Sequence, residues 1–223
     1  MKMKKFKQQV KEIKKDIAFG YKLLFTKRLK DDTLHPINYK DLECTFITKN
    51  LKVNRKSKIL NVGSYSQFII GLMCKYNITT LDVRMRKQFM KKETVITADI
   101  KDINFLENTF DVIISTSAIE HFGLGRYGDE IDLDADKKAF EQFKKVLKPG
   151  GYLIFTTTIK KGEPEVCFNA HRIYNINIIH NFCRSFKCID EKFYSKSKNQ
   201  FCEFEDITSK EKTWDVYMGC WVK

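Results

Sequence analysis

The sequence predicts a doubly wound α/β fold, because short apolar runs alternate with amphipathic helical segments from Ser57 onward. Such alternation is typical of a parallel sheet that is covered by helices on both faces. The runs predict seven strands, at residues 58–62, 78–83, 95–98, 110–115, 152–157, 187–194 and 214–222. Helices are predicted over residues 67–76, 134–147 and 173–182. The sequence Pro149-Gly150-Gly151 is predicted to stop the helix over 134–147.

One domain preceded by a helical arm accounts for the 223 residues and their hydrophobic content of 43%. Apolar residues recur at spacings of three and four from Phe6 to Leu24, which predicts an amphipathic helix over residues 5–29. Residues 30–56 are predicted to form an irregular connection with one short helix. We therefore assign residues 1–56 to the arm and residues 57–223 to the domain.

The formal net charge of +13 is concentrated in the arm, where residues 1–30 hold eleven basic and two acidic residues. A Lys-rich helix face usually lies in water, but it can also contact an anionic membrane surface or cap a cleft. Nucleic acid is disfavoured as a partner, because no basic stripe interleaved with aromatic residues extends the arm. The expected partner is a small molecule, with peripheral membrane contact through the arm left open.

The cysteines and the apolar runs indicate the cellular compartment of the protein. Seven cysteines are scattered without a CxxC pair, and the start of the chain lacks the apolar core of a secretory signal. These features favour reduced thiols in a cytoplasmic protein and disfavour a zinc site. No run reaches the ~18 apolar residues that a membrane-spanning helix needs.

A glycine turn follows the first predicted strand at residues 61–64. In an open α/β sheet, ligands bind beyond the C-terminal ends of the strands, and glycine lets the backbone approach them. Asp82 ends the second strand 19 residues after Gly63, the spacing at which a carboxylate accepts the ribose hydroxyls of an adenosine cofactor. Asp99 ends the third strand and is placed to meet an adenine amino group. The pattern predicts an adenosine cofactor, either a dinucleotide or S-adenosylmethionine (SAM).

Three later segments resemble the class I SAM-dependent methyltransferase superfamily, over roughly residues 57–222. They are Phe110-Asp111-Val112-Ile113-Ile114-Ser115, Ala118-Ile119-Glu120-His121 and Leu147-Lys148-Pro149-Gly150-Gly151. The resemblance implies a Rossmann-like seven-stranded sheet and SAM as cofactor, with S-adenosylhomocysteine as product. The implied cofactor contacts are Asn61, Val62, Gly63, Ser64, Asp82, Val83, Asp99, Ile100, Ser115 and Thr116. Gly63 and Ser64 are the contacts implied for the methionine part.

The first motif departs from the superfamily pattern. Asn61 stands where the superfamily usually has an acid, and Tyr65 and Ser66 stand where glycines are common. An Asn side chain and backbone carbonyls can still accept hydrogen bonds from the amino group of SAM.

A longer string resembles a methyltransferase-related family, domain of unknown function 268. The chain reads Glu120-His121-Phe122-Gly123-Leu124-Gly125-Arg126-Tyr127-Gly128-Asp129, then Asp132 and Asp136, and later Phe168-Asn169-Ala170-His171-Arg172. Members of this family show EHxGLGRYGDxxD and FNAHR in the same order. The resemblance implies the same fold, SAM chemistry and a link to surface-polysaccharide biosynthesis.

The candidate catalytic residues are His121, His171 and Glu120. For a hydroxyl acceptor, the enzyme aligns the acceptor with the methyl carbon and removes a proton. His121 is the first candidate base and His171 the second, because the reference pKa of histidine is ~6.5. A histidine at the position of His121 can instead orient the loop without acting as the base.

The candidate acceptor contacts are Arg126, Tyr127, Asp129, Asn169 and Arg172. Three nearby glycines let this loop run close to a ligand, and guanidinium groups suit carboxylates and phosphates. An anionic or hydroxyl-rich acceptor is expected, such as a sugar or a nucleotide-linked phosphate. The acids from Glu120 to Asp136 are expected to pair with arginines or cap a helix rather than bind a metal.

Together these features predict an O-methyltransferase for a small sugar-, nucleotide- or phosphate-bearing molecule. One alternative is a non-catalytic binding protein, which the degenerate turn at residues 61–66 motivates. The other is a nucleic-acid methyltransferase, but the Asp/Asn-Pro-Pro-Tyr/Phe signature is absent after the fourth strand, where the chain reads Ser115-Thr116-Ser117-Ala118.

Overall fold

A computed structural model describes residues 38–223 and, in the preceding segment, Lys14 alone. The helix predicted over residues 5–29 lies outside the described residues. None of the helices that are described is long and apolar enough to cross a bilayer.

The described residues form ten strands and four α-helices. The strands are β1 (Ile59–Val62), β2 (Ile78–Asp82), β3 (Glu93–Thr97), β4 (Phe110–Thr116), β5 (Leu147–Ile159), β6 (Glu165–Cys167), β7 (His171–Ile173), β8 (Lys187–Ser195), β9 (Gln200–Cys202) and β10 (Asp215–Val222). The helices are α1 (Tyr39–Asn50), α2 (Ser66–Met73), α3 (Ala135–Val146) and α4 (Ile176–Phe182).

Eight strands form the main sheet in the order β3-β2-β1-β4-β5-β10-β8-β9. Strands β1 to β5 are parallel to one another, whereas β10 runs antiparallel to both β5 and β8. Strands β6 and β7 form a separate antiparallel hairpin. This topology confirms the predicted doubly wound α/β fold.

The sheet has one strand more than the seven predicted. The additional strand is β9, which pairs antiparallel with β8 and lies between the last two predicted strands. Strand β9 is only three residues long, so alternation of apolar and polar residues cannot reveal it. The β6–β7 hairpin escapes prediction for the same reason, and it shortens the helix predicted over residues 173–182 to Ile176–Phe182.

Hydrophobic residues fill both faces of the sheet, because successive strand residues point to opposite sides. On β4, Ile113 joins the cluster that packs against α3 and α4. Its neighbours Val112 and Ile114 join the cluster that packs against α1 and α2. The sheet is thus covered on both faces, as its almost continuously buried strands require.

The Leu147–Gly151 segment ends α3 and begins β5. Helix α3 stops at Val146, before the predicted stop, and Pro149-Gly150-Gly151 lies within β5 rather than in a loop. The register shifts here, since Phe110 pairs with Leu147 but Val112 pairs with Tyr152. A Cβ on Gly151 would lie 3.0 Å from the carbonyl oxygen of Asp111, so the irregular strand start needs a glycine.

Helix α1, with 12 residues, provides the one short helix that was predicted within the connection over residues 30–56. It begins with a capping box, in which the Asn38 side chain accepts from the Asp41 N–H and the Asp41 carboxylate accepts from the Asn38 N–H. Phe46 and Ile47 pack into the cluster beneath the sheet. The compact unit of the chain therefore begins at Asn38.

Candidate cofactor and acceptor site

A cleft opens at the C-terminal edge of the parallel strands, where ligands bind in open α/β sheets. It consists of two adjoining hollows of about 530 and 1180 Å³. Both hollows are lined by Gly63, Asp82, Arg84, Ser117, His121 and Tyr127. The turn after β1, the end of β2 and the loop after β4 therefore face one another across one space.

Eight of the ten predicted cofactor contacts line this cleft: Val62, Gly63, Ser64, Asp82, Val83, Asp99, Ile100 and Thr116. The other two, Asn61 and Ser115, are buried behind it. The Asn61 amide reaches the Thr80 hydroxyl at 3.5 Å, and the Ser115 hydroxyl donates to the Val62 carbonyl at 2.9 Å. Both residues link neighbouring strands and shape the cleft from outside it.

Gly63 forms the turn after β1 and allows a close approach. Its φ of 69° is in the left-handed region, and a Cβ would lie 2.8 Å from the Cβ of Ala118. The Thr116 backbone N–H donates to the Ser64 hydroxyl at 3.0 Å, which ties the turn to the end of β4. One glycine therefore suffices to bring the turn against the loop after β4.

The carboxylate of Asp82, the predicted ribose contact, binds Arg84. Arg84 Nε donates to one oxygen at 2.9 Å and Nη2 donates to the other at 2.7 Å. The guanidinium group lies 4.5 Å from the ring centroid of Tyr127. A ribose bound to Asp82 would compete with Arg84 for the carboxylate.

Asp99, the predicted adenine contact, begins a short 3₁₀ turn over Ile100–Asp102. Its carboxylate accepts from the backbone N–H of Lys101 at 3.1 Å. Burial raises the pKa of Asp99 because it removes water from the carboxylate. An amino group of a ligand would donate a hydrogen bond to the Asp99 carboxylate and so replace the water that burial removes.

Glu120 is buried, and the next residue, His121, lines the cleft. Glu120 lies in a 3₁₀ turn after β4, and the Thr157 hydroxyl on β5 donates to its carboxylate at 2.9 Å. Burial raises the pKa of Glu120 to about 7, although the Thr157 hydrogen bond opposes the shift. A carboxyl group with this pKa exchanges its proton near neutral pH, as a general base must.

The two candidate catalytic histidines are neighbours, with ring centroids 6.4 Å apart. Nδ1 of His121 is 2.6 Å from the Ala170 carbonyl, so Nδ1 carries the proton and Nε2 is an acceptor. Burial lowers the pKa of His121 to about 4 and also lowers the pKa of His171. Both rings are therefore neutral at pH 7. Nε2 of His171 is buried and has no hydrogen-bond partner among residues 38–223.

Five aromatic rings, which we call the ring row, follow one another from the cleft, where the first two rings are part of the lining. Adjacent centroids are 5.6, 6.4, 6.0 and 5.8 Å apart along Tyr127, His121, His171, Trp214 and Tyr39. Four cations accompany the row. Lys196 Nζ is 3.1 Å from the Trp214 centroid and Lys40 Nζ is 4.8 Å from the Tyr39 centroid, and the guanidinium groups of Arg84 and Arg126 are 4.5 and 5.6 Å from the Tyr127 centroid. Rings and positive charges thus occur together at this end.

The loop that contains Arg126 and Tyr127 is held by hydrogen bonds. The Asp129 carboxylate accepts from the backbone N–H of Gly125 at 3.3 Å and of Tyr127 at 3.1 Å. Nη1 of Arg126 donates at 3.0 Å to the Ala170 carbonyl, which also binds His121. The turn between β6 and β7 is therefore fastened to this loop. Asn169 is exposed in that turn.

Arg172 was expected to contact the acceptor, but the structure directs its side chain away from the cleft. Its side chain is only 7% exposed, and Nε lies 3.3 Å from the Asp136 carboxylate. The guanidinium also donates to the backbone carbonyls of Phe122, Asp132 and Leu133. These partners occupy the guanidinium group, and Arg172 lines neither hollow of the cleft.

The acids near the loop bind other protein groups instead of converging. Asp136 pairs with Arg172, and the Asp132 carboxylate accepts from Lys138 Nζ at 2.7 Å. Within residues 38–223, no three His, Cys, Asp or Glu side chains are arranged to hold a metal ion.

Glu43 on α1 is a buried carboxylate beside the cleft that the sequence interpretation did not select. Its oxygens accept from the hydroxyls of Tyr65, Ser117 and Thr156, the last at 2.7 Å. Lys40 Nζ lies 3.3 Å from it. Helix α1 is thereby joined to the turn after β1, the end of β4 and the middle of β5.

One feature of the sequence could have identified Glu43. It shares the buried face of α1 with Phe46, Ile47 and Asn50. Acids are rarely fully buried unless they are paired, so a Glu on an apolar helix face indicates a polar site nearby. Such reasoning first needs the bounds of the helix, which the polar segment 30–56 does not clearly predict.

The family described as "Caenorhabditis protein of unknown function, DUF268" matches residues 70–217. The chain belongs to this family. A curated relative, the uncharacterized protein MJ0638 of Methanocaldococcus jannaschii, is 25% identical over 136 residues. The match covers 60% of the DUF268 chain and 55% of the relative, so the chain spans about half the length of that protein.

Solved structures of class I methyltransferases are similar to this DUF268 chain. Burkholderia thailandensis 1,6-didemethyltoxoflavin-N1-methyltransferase, with S-adenosylhomocysteine bound, has a TM-score of 0.62 and 11% identity, covering 97% of this chain and 89% of its own. The N-methyltransferase NodS of Bradyrhizobium japonicum, also with S-adenosylhomocysteine, has a TM-score of 0.58 and 15% identity, covering 88% and 90%. These similarities confirm the predicted fold.

A third similar structure has a different activity. The [4+2]-cyclase SpnF has a TM-score of 0.64 and 14% identity to the DUF268 chain, covering 87% of this chain and 85% of its own. Because one fold hosts several reactions, the activity must be argued from the cleft itself.

Proposed function

We propose that this DUF268 protein transfers a methyl group from SAM to a hydroxyl of a small acceptor. The observation that supports the proposal most is the arrangement of the cleft. Gly63, Asp82 and Asp99 line one continuous space at the C-terminal edge of β1 to β3, and so does His121, the residue after the buried Glu120. Cofactor contacts and a titratable base are thus combined in one site.

The cleft residues fit SAM by their chemistry. Two carboxylates, Asp82 and Asp99, match the ribose hydroxyls and the adenine amino group of an adenosine. Gly63 keeps the turn after β1 free of a side chain that would clash with Ala118. The neutral apolar groups between them, such as Leu81 and Ile100, suit a flat purine ring.

Bound SAM supplies an activated methyl group and leaves as S-adenosylhomocysteine. A bond then forms between the acceptor oxygen and the methyl carbon while the carbon–sulfur bond breaks, and the hydroxyl proton must go to a base. Glu120 is our choice for the base, because its pKa of about 7 leaves much of it ionised at neutral pH. His121 and His171, which are neutral at that pH, orient the acceptor through their ring nitrogens.

The ring row and its cations favour an acceptor with a ring and a negative charge. Aromatic faces pack against sugar rings or bases, and a guanidinium or ammonium group pairs with phosphate or carboxylate. Among the four cations of the ring row, Lys40 and Arg84 are paired with carboxylates, whereas Arg126 and Lys196 form no ion pair with the described residues. Sugar phosphates and nucleotide sugars have this chemistry, and assays with labelled SAM against such compounds test the choice.

Replacing Asp82 with Ala should weaken SAM binding by about ten- to a hundredfold, because charged hydrogen bonds to the ribose are lost. Isothermal titration calorimetry with SAM and S-adenosylhomocysteine measures this change. The matched control is Asp111→Ala, since the Asp111 carboxylate pairs with Lys148 at 2.6 Å outside the cleft. Absence of heat from either ligand with the unmodified protein would contradict the proposed function.

Replacing Arg84 with Ala should tighten SAM binding by about two- to fivefold. Arg84 competes with the ribose for Asp82, and an exposed ion pair of this kind is worth at most about 1 kcal/mol. The same titration measures the effect, and Lys87→Ala, an exposed cation in the same loop, is the control. Weaker binding by the Arg84 variant would mean that Arg84 contacts the cofactor instead of opposing it.

A further inference from the structure

Lys40 brings a positive charge to the part of the cleft nearest α1. Its side chain lines the larger hollow beside Gly63, Ser64 and Thr116. The Lys40 side chain is 34% exposed, whereas its partner Glu43 is completely buried. The ammonium group of Lys40 is therefore held by the buried Glu43 carboxylate and remains accessible to a ligand.

Three groups hold Lys40 in place. Its Nζ is 3.3 Å from the Glu43 carboxylate, 4.5 Å from the ring centroid of Tyr65 and 4.8 Å from that of Tyr39. The Tyr65 hydroxyl donates to the same Glu43 carboxylate, so Glu43 positions both neighbours. An ammonium group has three N–H donors, and the contact with Glu43 uses only one of them.

The methionine part of SAM carries a carboxylate that needs a cationic partner. Two other cations line the same hollow, but each is engaged by a carboxylate through two nitrogens: Arg84 by Asp82 and Arg86 by Glu93. Lys40 is the remaining cation among the described residues that line the hollow. It also lies next to Gly63 and Ser64, the contacts expected for the methionine part.

We propose that Lys40 binds the carboxylate of the methionine part of SAM, and that Glu43 is the positioning residue that holds Lys40 for this contact. The proposal rests on the proposed function, because it assumes that SAM occupies the cleft. Helix α1 thereby supplies a positive charge at the cleft. The turn after β1 supplies none, and its Asn61 is buried behind the cleft.

The proposal predicts which cofactor atoms Lys40 recognises. Loss of a charged hydrogen bond costs about tenfold in affinity when the pair is partly exposed to solvent. The loss should be confined to ligands that have the carboxylate. Decarboxylated SAM lacks only that group, and 5′-methylthioadenosine lacks the whole amino-acid end, so both should be insensitive to Lys40.

Calorimetric titration of the full chain with these three ligands tests the assignment. Lys40→Met should weaken SAM binding about tenfold and leave the other two affinities unchanged. Lys40→Arg, which keeps the charge, should retain the preference for SAM over decarboxylated SAM. The control is Lys49→Met on the same helix, because Lys49 pairs with Asp190 and does not line the cleft.

Glu43→Gln separates positioning from direct binding. It should reduce the preference for SAM over decarboxylated SAM without changing the affinity for 5′-methylthioadenosine. It should have no further effect in a Lys40→Met background, since Glu43 acts through Lys40. Unchanged SAM binding by Lys40→Met, or an equal loss for all three ligands, overturns the proposal. Failure of the unmodified protein to bind any of them contradicts the proposed function itself.

Discussion

Replacing Glu120 with Gln should lower kcat for the acceptor by about a hundred- to ten-thousandfold, the range for loss of a general base. Gln has nearly the same shape and can still accept a hydrogen bond from Thr157, but it cannot take a proton. The SAM affinity should stay unchanged, because Asp82 and Asp99 hold the adenosine. Steady-state kinetics with the identified acceptor, beside calorimetry for SAM, separates the two effects.

The pH dependence of turnover gives a second measure of the same role. A base must be ionised to accept a proton, so activity should fall as the pH drops below about 7, the pKa to which burial raises Glu120. Thr157→Val removes a hydrogen bond that lowers this pKa and should move the acid limb to higher pH. A Glu120→Gln enzyme that retains both its rate and its acid limb would assign the base elsewhere, with His171 the next candidate.

The stability of the protein should also depend on the ionisation of Glu120, and this dependence can be measured without any substrate. The pKa of Glu120 rises from 4.5 to about 7 on folding, so this residue favours folding at low pH. The contribution of Glu120 to the free energy of unfolding is fully present below pH 4.5. It decreases by about 3 kcal/mol in total as the pH rises through 7. Urea unfolding should therefore show Glu120→Gln gaining stability over the unmodified protein between pH 5 and pH 8.

The sheet and the cofactor end of the cleft were predictable because they depend on local patterns. Each parallel strand is a short apolar run, and its C-terminal end falls at the residue where the run stops. Gly63, Asp82 and Asp99 follow three such ends, and the topology of the sheet brings strand ends to one edge. Eight of the ten predicted cofactor contacts consequently line the cleft.

Asn61 and Ser115 failed to reach the cleft for a reason that strand geometry explains. Each lies within a strand rather than beyond its end, and side chains in a strand alternate between its two faces. A shift of one residue separates Ser115, which donates to the Val62 carbonyl, from Thr116, which lines the cleft. Resemblance to a motif does not resolve such a difference.

The acceptor end was less predictable because its residues come from distant parts of the chain. Tyr39 precedes the sheet and Trp214 immediately precedes the last strand, yet their rings are 5.8 Å apart. Neither residue has a neighbour in sequence that suggests a binding site. Arg172 shows the opposite error, since its type suggested an anion contact, but its burial against Asp136 depends on tertiary packing alone.

Replacing Arg172 with Met should lower the free energy of unfolding by about 3–5 kcal/mol, the cost of leaving a buried charge without its partner. Asp136 would lose its counter-charge, and two neutral donors would remain on its carboxylate, the Tyr174 hydroxyl at 2.8 Å and the backbone N–H of Lys137 at 2.9 Å. The backbone carbonyls of Phe122 and Leu133 would also lose their donor. Urea unfolding followed by circular dichroism measures the loss.

Two further variants determine whether the loss of stability in Arg172→Met comes from the buried Arg172–Asp136 pair. Arg126→Met removes an exposed arginine whose one hydrogen bond within residues 38–223 is to Ala170, so its effect on stability should stay below about 1 kcal/mol. Asp136→Asn in the Arg172→Met background removes the uncompensated charge and should recover part of the stability. Equal losses for Arg172→Met and Arg126→Met would mean that Arg172 does not stabilise the loop, and its expected role in acceptor binding would then return.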